Sequence, residues 1–412
     1  MSLEPSRTLR ELAELAELTS DAEGAQRVAF TPTWNRARAW AKEKILAAGF
    51  SYHRDPAGNA WATLPGKSTK ELLLGGHIDS VPSGGWLDGS LGLLAGLEVM
   101  RYLNEIYQGQ PPLTIKLVDW ADEEGARFGR SLLGSSAAAG RLDIGTVSGL
   151  QDHQGVTLKE ALATCGLELA QAGLAQKELA QAGAYLELHI EQGPVLEQLG
   201  LPLGAVLGTY GVERHTLTFK GQAAHSGSTP MELRRDAFLA AGQMASEIYQ
   251  IAARHGGVCT IGSCTTAPGI VTSVVETCTL SLDQRHLDPA HLAAMWQEAQ
   301  AAAQRLAQQG GLGLETALLW QIEPLPFHPD LIALAQAAIQ ETVGQVHSLP
   351  SGPLHDAASM VQAKIPTTML FVQSLQGISH NKIENSRPEH LEASVVALAK
   401  LAQETLHWLE NS

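Results

Sequence analysis

Apolar and polar positions change their period along this chain in a regular order. Met1 to Glu23 has the amphipathic spacing of a helix, and Thr31-Pro32-Thr33 caps a second that runs to Gly49. The turn Arg54-Asp55-Pro56-Ala57-Gly58-Asn59 leads into a strand over 60–64. Glu71-Leu-Leu-Leu74 reads as a short buried strand, and Leu91 to Tyr107 as an apolar helix. Strands are expected again over 113–120 and from Ala184 to the turn Gly193-Pro194. Between them, residues 166–183 repeat Leu-Ala-Gln among good helix formers, which predicts a surface helix or connector without chemistry. The character then shifts: a strand at 216–220, a long amphipathic helix over 234–254, strands near 258–262 and 277–283, and an Ala/Gln-rich helix over 289–308. A helix over 330–343, a strand at 367–372 and a closing helix from Pro388 to Leu409 restore the first style. This order predicts an α/β domain in two parts, 1–209 and 326–412, interrupted by an α+β domain over 210–325.

Composition narrows the class. A chain of 412 residues is long enough for two domains, and 44% apolar with 17% charged residues describes a globular protein. The formal charge is -15, from 43 acidic against 28 basic residues, with no Lys/Arg cluster. That argues against nucleic acid or an anionic membrane as partner and favours a small-molecule substrate. The four cysteines form no Cys-x-x-Cys pair, so neither a disulfide framework nor a thiolate zinc site is indicated, and they are expected reduced and buried. No apolar run reaches the ~18 residues of a membrane span, and the N-terminus lacks the design of a signal peptide. A cytoplasmic protein is expected.

The candidate chemistry is concentrated in residues 75–92, where His77, Asp79 and Asp88 lie among six glycines at the change from strand to helix. By strand alternation His77 and Asp79 point the same way, so His77 is placed to ligate a metal and Asp79 to orient it. Gly84 and Gly85 permit the fold that returns Asp88 towards His77, where a carboxylate can bridge two ions. The strand at 113–120 runs directly into Asp122-Glu123-Glu124-Gly125, and two adjacent glutamates can divide labour, one binding metal and the other moving protons. Glu187, His189 and Glu191 alternate onto one strand face, and His380 lies beyond the strand at 367–372. Together His77, Asp88, Glu124, His189 and His380 offer nitrogen and oxygen donors that suit Zn²⁺, Mn²⁺, Co²⁺ or Ni²⁺, enough for two ions sharing Asp88.

With those residues in place, nearly the whole chain resembles the metal-dependent amidohydrolases of the M20 peptidase superfamily, in the branch of N-carbamoyl-L-amino-acid hydrolases, allantoate amidohydrolases and β-ureidopropionases. The matching pieces are Gly76 to Gly89, Glu123-Glu-Gly-Ala-Arg-Phe128, Glu187-Leu-His-Ile-Glu-Gln-Gly-Pro194, His225-Ser-Gly-Ser-Thr-Pro-Met231 with Arg234-Arg-Asp236, and Gly377-Ile-Ser-His-Asn381. The resemblance implies a two-domain fold, a mixed-sheet catalytic domain flanked by helices with an inserted lid and dimerisation domain. It implies that His77, Asp88 and His189 hold one ion, and Asp88, Glu124 and His380 the other. Glu123 is then the general base, Asp79 its neighbour behind His77, and His225 the histidine that a dimer partner's lid sends to steady the oxyanion. Gln192 and Arg285 resemble substrate binders, Arg285 pairing bidentately with a carboxylate. The implied reaction is hydrolysis of a linear amide, and a carbamoyl substrate gives amine, CO2 and ammonia.

The substrate side departs from that pattern. Relatives carry an asparagine eleven residues before the strand aspartate, where this chain has Thr272 before Asp283. A Ser-Gly-Ala-Gly-His-Asp-Ala loop appears here as Ser351-Gly-Pro-Leu-His-Asp-Ala357, which narrows the pocket beside His355 and makes it more apolar. Thr272 keeps a hydroxyl but loses an amide that both donates and accepts, so a formyl, acyl or other ureido substrate is an alternative. A dipeptidase or aminoacylase on the same scaffold is another, and a non-catalytic binding protein a third. Outside these motifs His215, His255 and His286 read as surface or core histidines, His355 as a residue that touches substrate, and Cys259, Cys264 and Cys278 as packing for the insert's strands.

Overall fold

In the computed structural model, which describes residues 2–411, the leucine run at 72–74 becomes the centre of a strand, Ser68–His77. Alternation sends Leu72 and Leu74 into one apolar layer and Leu73 into another. The strand is longer than expected because Gly75 and Gly76 continue it. A Cβ at Gly75 would lie 2.1 Å from the Tyr185 hydroxyl, and one at Gly76 would lie 2.6 Å from the Leu93 nitrogen. Both glycines are therefore packing requirements of the sheet and of the helix behind it, Ser90–Ile106.

Ser68–His77 pairs in parallel with Leu113–Trp120 on one side and Ala182–Ile190 on the other, and Thr367–Val372 extends the parallel set. Antiparallel strands flank it: Ala60–Leu64 and Ser51–Arg54 at one edge, Leu203–Thr209 at the other. Leu72, Leu74, Leu117, Leu186, Leu188 and Leu370 pack under the long helices, while Leu73, Val118, Trp120, Tyr185, Met369 and Phe371 form the opposite layer. Because the central strands run the same way, His77, Trp120, Ile190 and Val372 all stand at one end of the sheet. Open α/β sheets place their sites at that end.

Residues 166–183 differ from expectation. Leu169–Leu179 is a 3-10 run whose buried side chains, Leu169, Ala172 and Ala175, recur every third residue. The Leu-Ala-Gln repeat thus matches three residues per turn, in which positions i and i+3 eclipse.

The chain divides into two units, the second being Gly208–Pro326 against the 210–325 expected. Within it the strand order is Val258–Ala267, Thr277–His286, Gly211–Lys220, Gly313–Ile322, all antiparallel. The helices Ala237–His255 and Pro289–Gln309 cover one face, packing Met244 and Met295 with Leu217, Phe219, Leu280 and Leu282 of the strands. Gly313–Ile322 was not anticipated, because Leu314 to Ile322 does not alternate and a bulge falls between Leu318 and Trp320. Cys165, Cys259 and Cys278 are buried as expected. Cys264 is exposed on an edge strand, a correction, with its Sγ 3.5 Å from that of Cys278. Among the described residues no helix is long and apolar enough to cross a membrane.

Candidate metal centre

The first unit brings five of the expected residues together at the ends of its parallel strands. His77 ends its strand with the ring buried, and Nδ1 lies 3.1 Å from the main-chain oxygen of Asp79. His189 is oriented in the same manner, Nδ1 2.9 Å from the Ile190 carbonyl. A ring whose Nδ1–H donates to a carbonyl presents Nε2 as its ligating atom. Both Nε2 atoms face Asp88 Oδ1, at 3.6 Å from His77 and 3.1 Å from His189. His380 Nε2 approaches the other oxygen, Oδ2, at 3.4 Å, and lies 3.3 Å from Glu124 Oε2.

Asp88 therefore stands between two donor groups, His77–Asp88–His189 and Asp88–Glu124–His380, each with its donor atoms within 4.8 Å of one another. The buried Nε2 atoms of His77 and His189 and Oε1 of Glu124 make no hydrogen bond of good geometry. Buried polar atoms are normally satisfied, and nitrogen and carboxylate donors around a common centre fit divalent cations. The donor set thus fits the metal that its chemistry implies. A third group, Glu187, His189 and His355, also lies within ligand reach. His189 Nε2 faces Asp88, however, and Glu187 Oε2 already accepts from Tyr185 Oη and the Ala357 N–H.

The electrostatics reflect this crowding. Burial pulls His77 down to about 4. Burial also opposes the charged form of His189, yet the adjacent Asp88 carboxylate raises it to about 9. His380 is likewise held up to about 9 by Asp88, against the effect of burial. Burial alone would raise Asp88, but His189 and His380 hold it well below the usual carboxylate range. Glu123 is pushed well above that range by burial and by Asp356 and Glu124. Its Oε2 lies 3.8 Å from His77 Nε2, beside the ligands.

Two residues make contacts beyond their expected roles, and the Asp79 carboxylate stands 3.7 Å from His77 Nδ1. Asp79 lies beyond the strand end, and its carboxylate accepts from the Glu123 and Glu124 N–H groups at 3.3 and 3.2 Å. It steadies the loop that carries both glutamates, while only its main-chain oxygen is within hydrogen-bonding distance of His77. Gln192 Nε2 donates to Asp88 Oδ2 at 2.8 Å, so in this structure its amide orients a ligand. Glu191 accepts from the N–H groups of Val195 and Leu196 and caps the short helix Val195–Leu199, away from the donor groups. The His355 ring lies 4.3 Å from that of His189 and is buried, which holds it well below its ordinary value.

Sequence reasoning missed three residues. Glu384 is buried and accepts from the N–H groups of Leu87 and Asp88, fixing the Asp88 backbone from behind. Ser379 Oγ lies 2.9 Å from Asp88 Oδ2 and 2.7 Å from Glu384 Oε2. Arg27 is fully buried, donates to the Ile78 carbonyl and Ser90 Oγ, and brings a positive charge to the carboxylates; its burial lowers it to about 10. A cavity of about 530 Å³ adjoins the centre, lined by Gln192, Pro353, Ile378, Ser379, His380 and Asn381.

The remaining expected residues belong to the second unit. His225 and Thr272 are exposed on neighbouring loops, with the Ser226 N–H donating to the Thr272 carbonyl at 2.9 Å. Arg285 donates through Nε and Nη2 to both carboxylate oxygens of Asp283, at 2.8 and 3.3 Å, so its planar fork is engaged within the insert.

Fold and donor set define a metal-dependent hydrolase built on an interrupted α/β scaffold. The chain belongs to peptidase family M20/M25/M40, whose profile matches residues 73–404. It is 35% identical over 386 residues to an N-carbamoyl-L-amino acid amidohydrolase of Geobacillus stearothermophilus, covering 92% of this chain and 93% of that one. It is 32% identical to the allantoate amidohydrolase of Escherichia coli K12, covering 91% and 92%. The crystal structure of an amidase of the hydantoinase/carbamoylase family from Burkholderia multivorans superposes with a TM-score of 0.86 at 31% identity, over 98% of each chain. The protein is an amidohydrolase, an enzyme that hydrolyses amide C–N bonds.

Proposed function

We propose that this enzyme hydrolyses N-carbamoyl amino acids or similar ureido compounds, releasing amine, CO2 and ammonia. In this reading His77, Asp88 and His189 hold one divalent ion, and Asp88, Glu124 and His380 a second, Zn²⁺ or alternatively Mn²⁺, Co²⁺ or Ni²⁺. The observation that carries it is the division of Asp88: Oδ1 faces two imidazoles and Oδ2 a third. When bound, such ions supply Lewis acidity and lower the pKa of water towards neutrality.

The chain's own residues handle positioning and protons. Glu123, whose carboxyl burial and the neighbouring carboxylates push well above the usual range, is assigned the general base that takes a proton from the attacking water and returns it to the leaving nitrogen. Asp79 fixes the Glu123–Glu124 backbone, and Gln192 and Ser379 fix the direction of Asp88. His355 stays neutral against His189. Arg285 is assigned the substrate carboxylate, Thr272 a hydrogen bond to the substrate, and His225, from a second copy of the chain, the oxyanion. Exposed apolar residues of the insert support a homodimer formed through it. A reduced state for the four free cysteines agrees with a cytoplasmic location.

Pro353 in the cavity wall, followed by Leu354 where the related loop has its second glycine, favours a second reading, a formyl or other acyl group in place of carbamoyl, because the pair makes the loop stiffer and more apolar. Ammonia and amine release from matched N-carbamoyl, N-formyl and N-acyl amino acids, with dipeptides alongside, separates the readings. Ammonia with the carbamoyl set is expected. Amine without ammonia, from formyl or acyl compounds alone, would replace the first reading by the second.

A further inference from the structure

The insert contains a group of side chains that the proposed reaction does not use. His255 ends the helix Ala237–His255, His286 ends the strand Thr277–His286, and His291 lies in the first turn of Pro289–Gln309. His255 Nδ1 and His291 Nδ1 face one another at 3.1 Å. Their ring centroids lie 5.4 Å apart, so the two nitrogens point at one another along one line; an ion about 2.0–2.1 Å from both lies to one side of that line, and the exposed His291 ring turns to meet it.

The pair is built by its surroundings. His255 Nε2 lies 2.9 Å from Glu298 Oε1, and Arg254 donates to the other oxygen of that carboxylate at 2.6 Å. A carboxylate on the far nitrogen fixes the tautomer in which Nε2 carries the proton and Nδ1 presents its lone pair, the usual outer partner of a ligating imidazole. His286 locks the frame: Nε2 donates to the His255 carbonyl at 3.0 Å, and Nδ1 accepts from the Asp288 N–H at 2.8 Å. Its ring lies 4.9 Å from that of His291. His255 is largely covered and His291 is exposed, so one side of the pair is open to solvent.

We infer that His255 and His291 form a binding site for a transition-metal dication in the insert, with Glu298 as positioning residue and water completing the coordination. Imidazole donors without thiolate, and open positions, suit Cu²⁺ best and Ni²⁺ or Zn²⁺ less tightly. A bound ion would tie the end of one helix to the start of the other.

The test is copper uptake by the metal-stripped full-length chain and by His291→Gln, dialysed against the same free Cu²⁺, with electron paramagnetic resonance on both. Wild type is expected to hold one equivalent more than the variant, and the difference spectrum to show nitrogen ligation. Glu298→Ala weakens that equivalent by about 10–100-fold, while amide hydrolysis by His291→Gln is unchanged. Melting curves without metal verify that the variants fold. Equal uptake and superimposable spectra overturn the site and leave a shared proton between the two rings. Failure of the proposed two-ion centre would alter the copper common to both proteins, and leave the difference intact.

Discussion

Three separate contacts fix the direction of Asp88, the proposed bridge: Glu384 on its N–H, and Gln192 and Ser379 beside Oδ2. Glu123 lies beside this frame, and replacing it by glutamine removes proton transfer while keeping shape and the ligands. Glu123→Gln is expected to lower kcat by about 10²–10⁴-fold with metal content unchanged by elemental analysis; lost metal would mean that Glu123 is a ligand. The histidines predict a pH dependence of loading. His189 and His380 titrate at about 9 without metal, above the ordinary 6.5, so below about 9 a cation must displace their protons. Affinity is therefore expected to rise with pH up to about 9 and to level off above, with protons released on loading, measured by indicator dye. A pH-independent affinity would contradict the assignment of these two imidazoles. The five proposed ligands were legible because each lies in or beside a glycine-punctuated turn at a strand end. Glu384 and Arg27 were not, since neither Lys382-Ile-Glu-Asn385 nor Ala25-Gln-Arg27 carries a local pattern; their role exists only through burial and contacts distant in sequence.

At the scale of elements, the site depends on how tightly strand ends turn. Gly89 precedes Ser90–Ile106 with φ +63°, and a Cβ there would fall 2.3 Å from the His77 ring. Gly129, with φ +72°, has nothing within 4 Å of such a Cβ. Gly129→Ala therefore tests backbone strain alone, about 1–2 kcal/mol, and is expected to lower the melting temperature while keeping metal. Gly89→Ala adds displacement of His77 and is expected to lose metal, read by elemental analysis of the folded protein; full metal content would show that the turn tolerates a side chain. Asp122, Gln192 and His380 also adopt positive φ, between +54° and +57°, the first two just past strand ends and His380 in the loop after the turn Leu375–Gly377. Such strain collects at functional sites, and a sequence does not display it in residues other than glycine. The principal strands and helices of the first unit were legible from period, but the flanking strands Ser51–Arg54 and Leu203–Thr209 and the short helices Leu133–Ala138 and Leu158–Thr164 were not. The 3-10 segment was not legible either, because its residues are also good α-helix formers and only tertiary packing, chiefly against the short helix Leu133–Ala138, selects the period of three.

For the whole molecule, the insert announced itself as a change of style in the chain, but its outer strand Gly313–Ile322 did not, and that strand bears on assembly. It is an edge of the four-stranded sheet and exposes Leu318, Leu319 and Trp320 at 52%, 59% and 43%. An unpaired edge carrying large apolar side chains is a surface that natural proteins cover or charge. A second copy covers it in the proposed homodimer, and the oxyanion role of His225 requires that copy. Sedimentation is expected to give twice the chain mass for wild type, and Leu319→Lys with Trp320→Lys to shift it to the monomer. If His225 acts across the interface, the monomer loses kcat while retaining its metal, and mixing the doubly charged variant with wild type restores no activity to it. A folded monomer with undiminished kcat would remove a second copy's His225 from the reaction. A dimer that survives both charges would place the interface on another face, where Phe238, Leu239 and Tyr249 of the Ala237–His255 helix are also exposed.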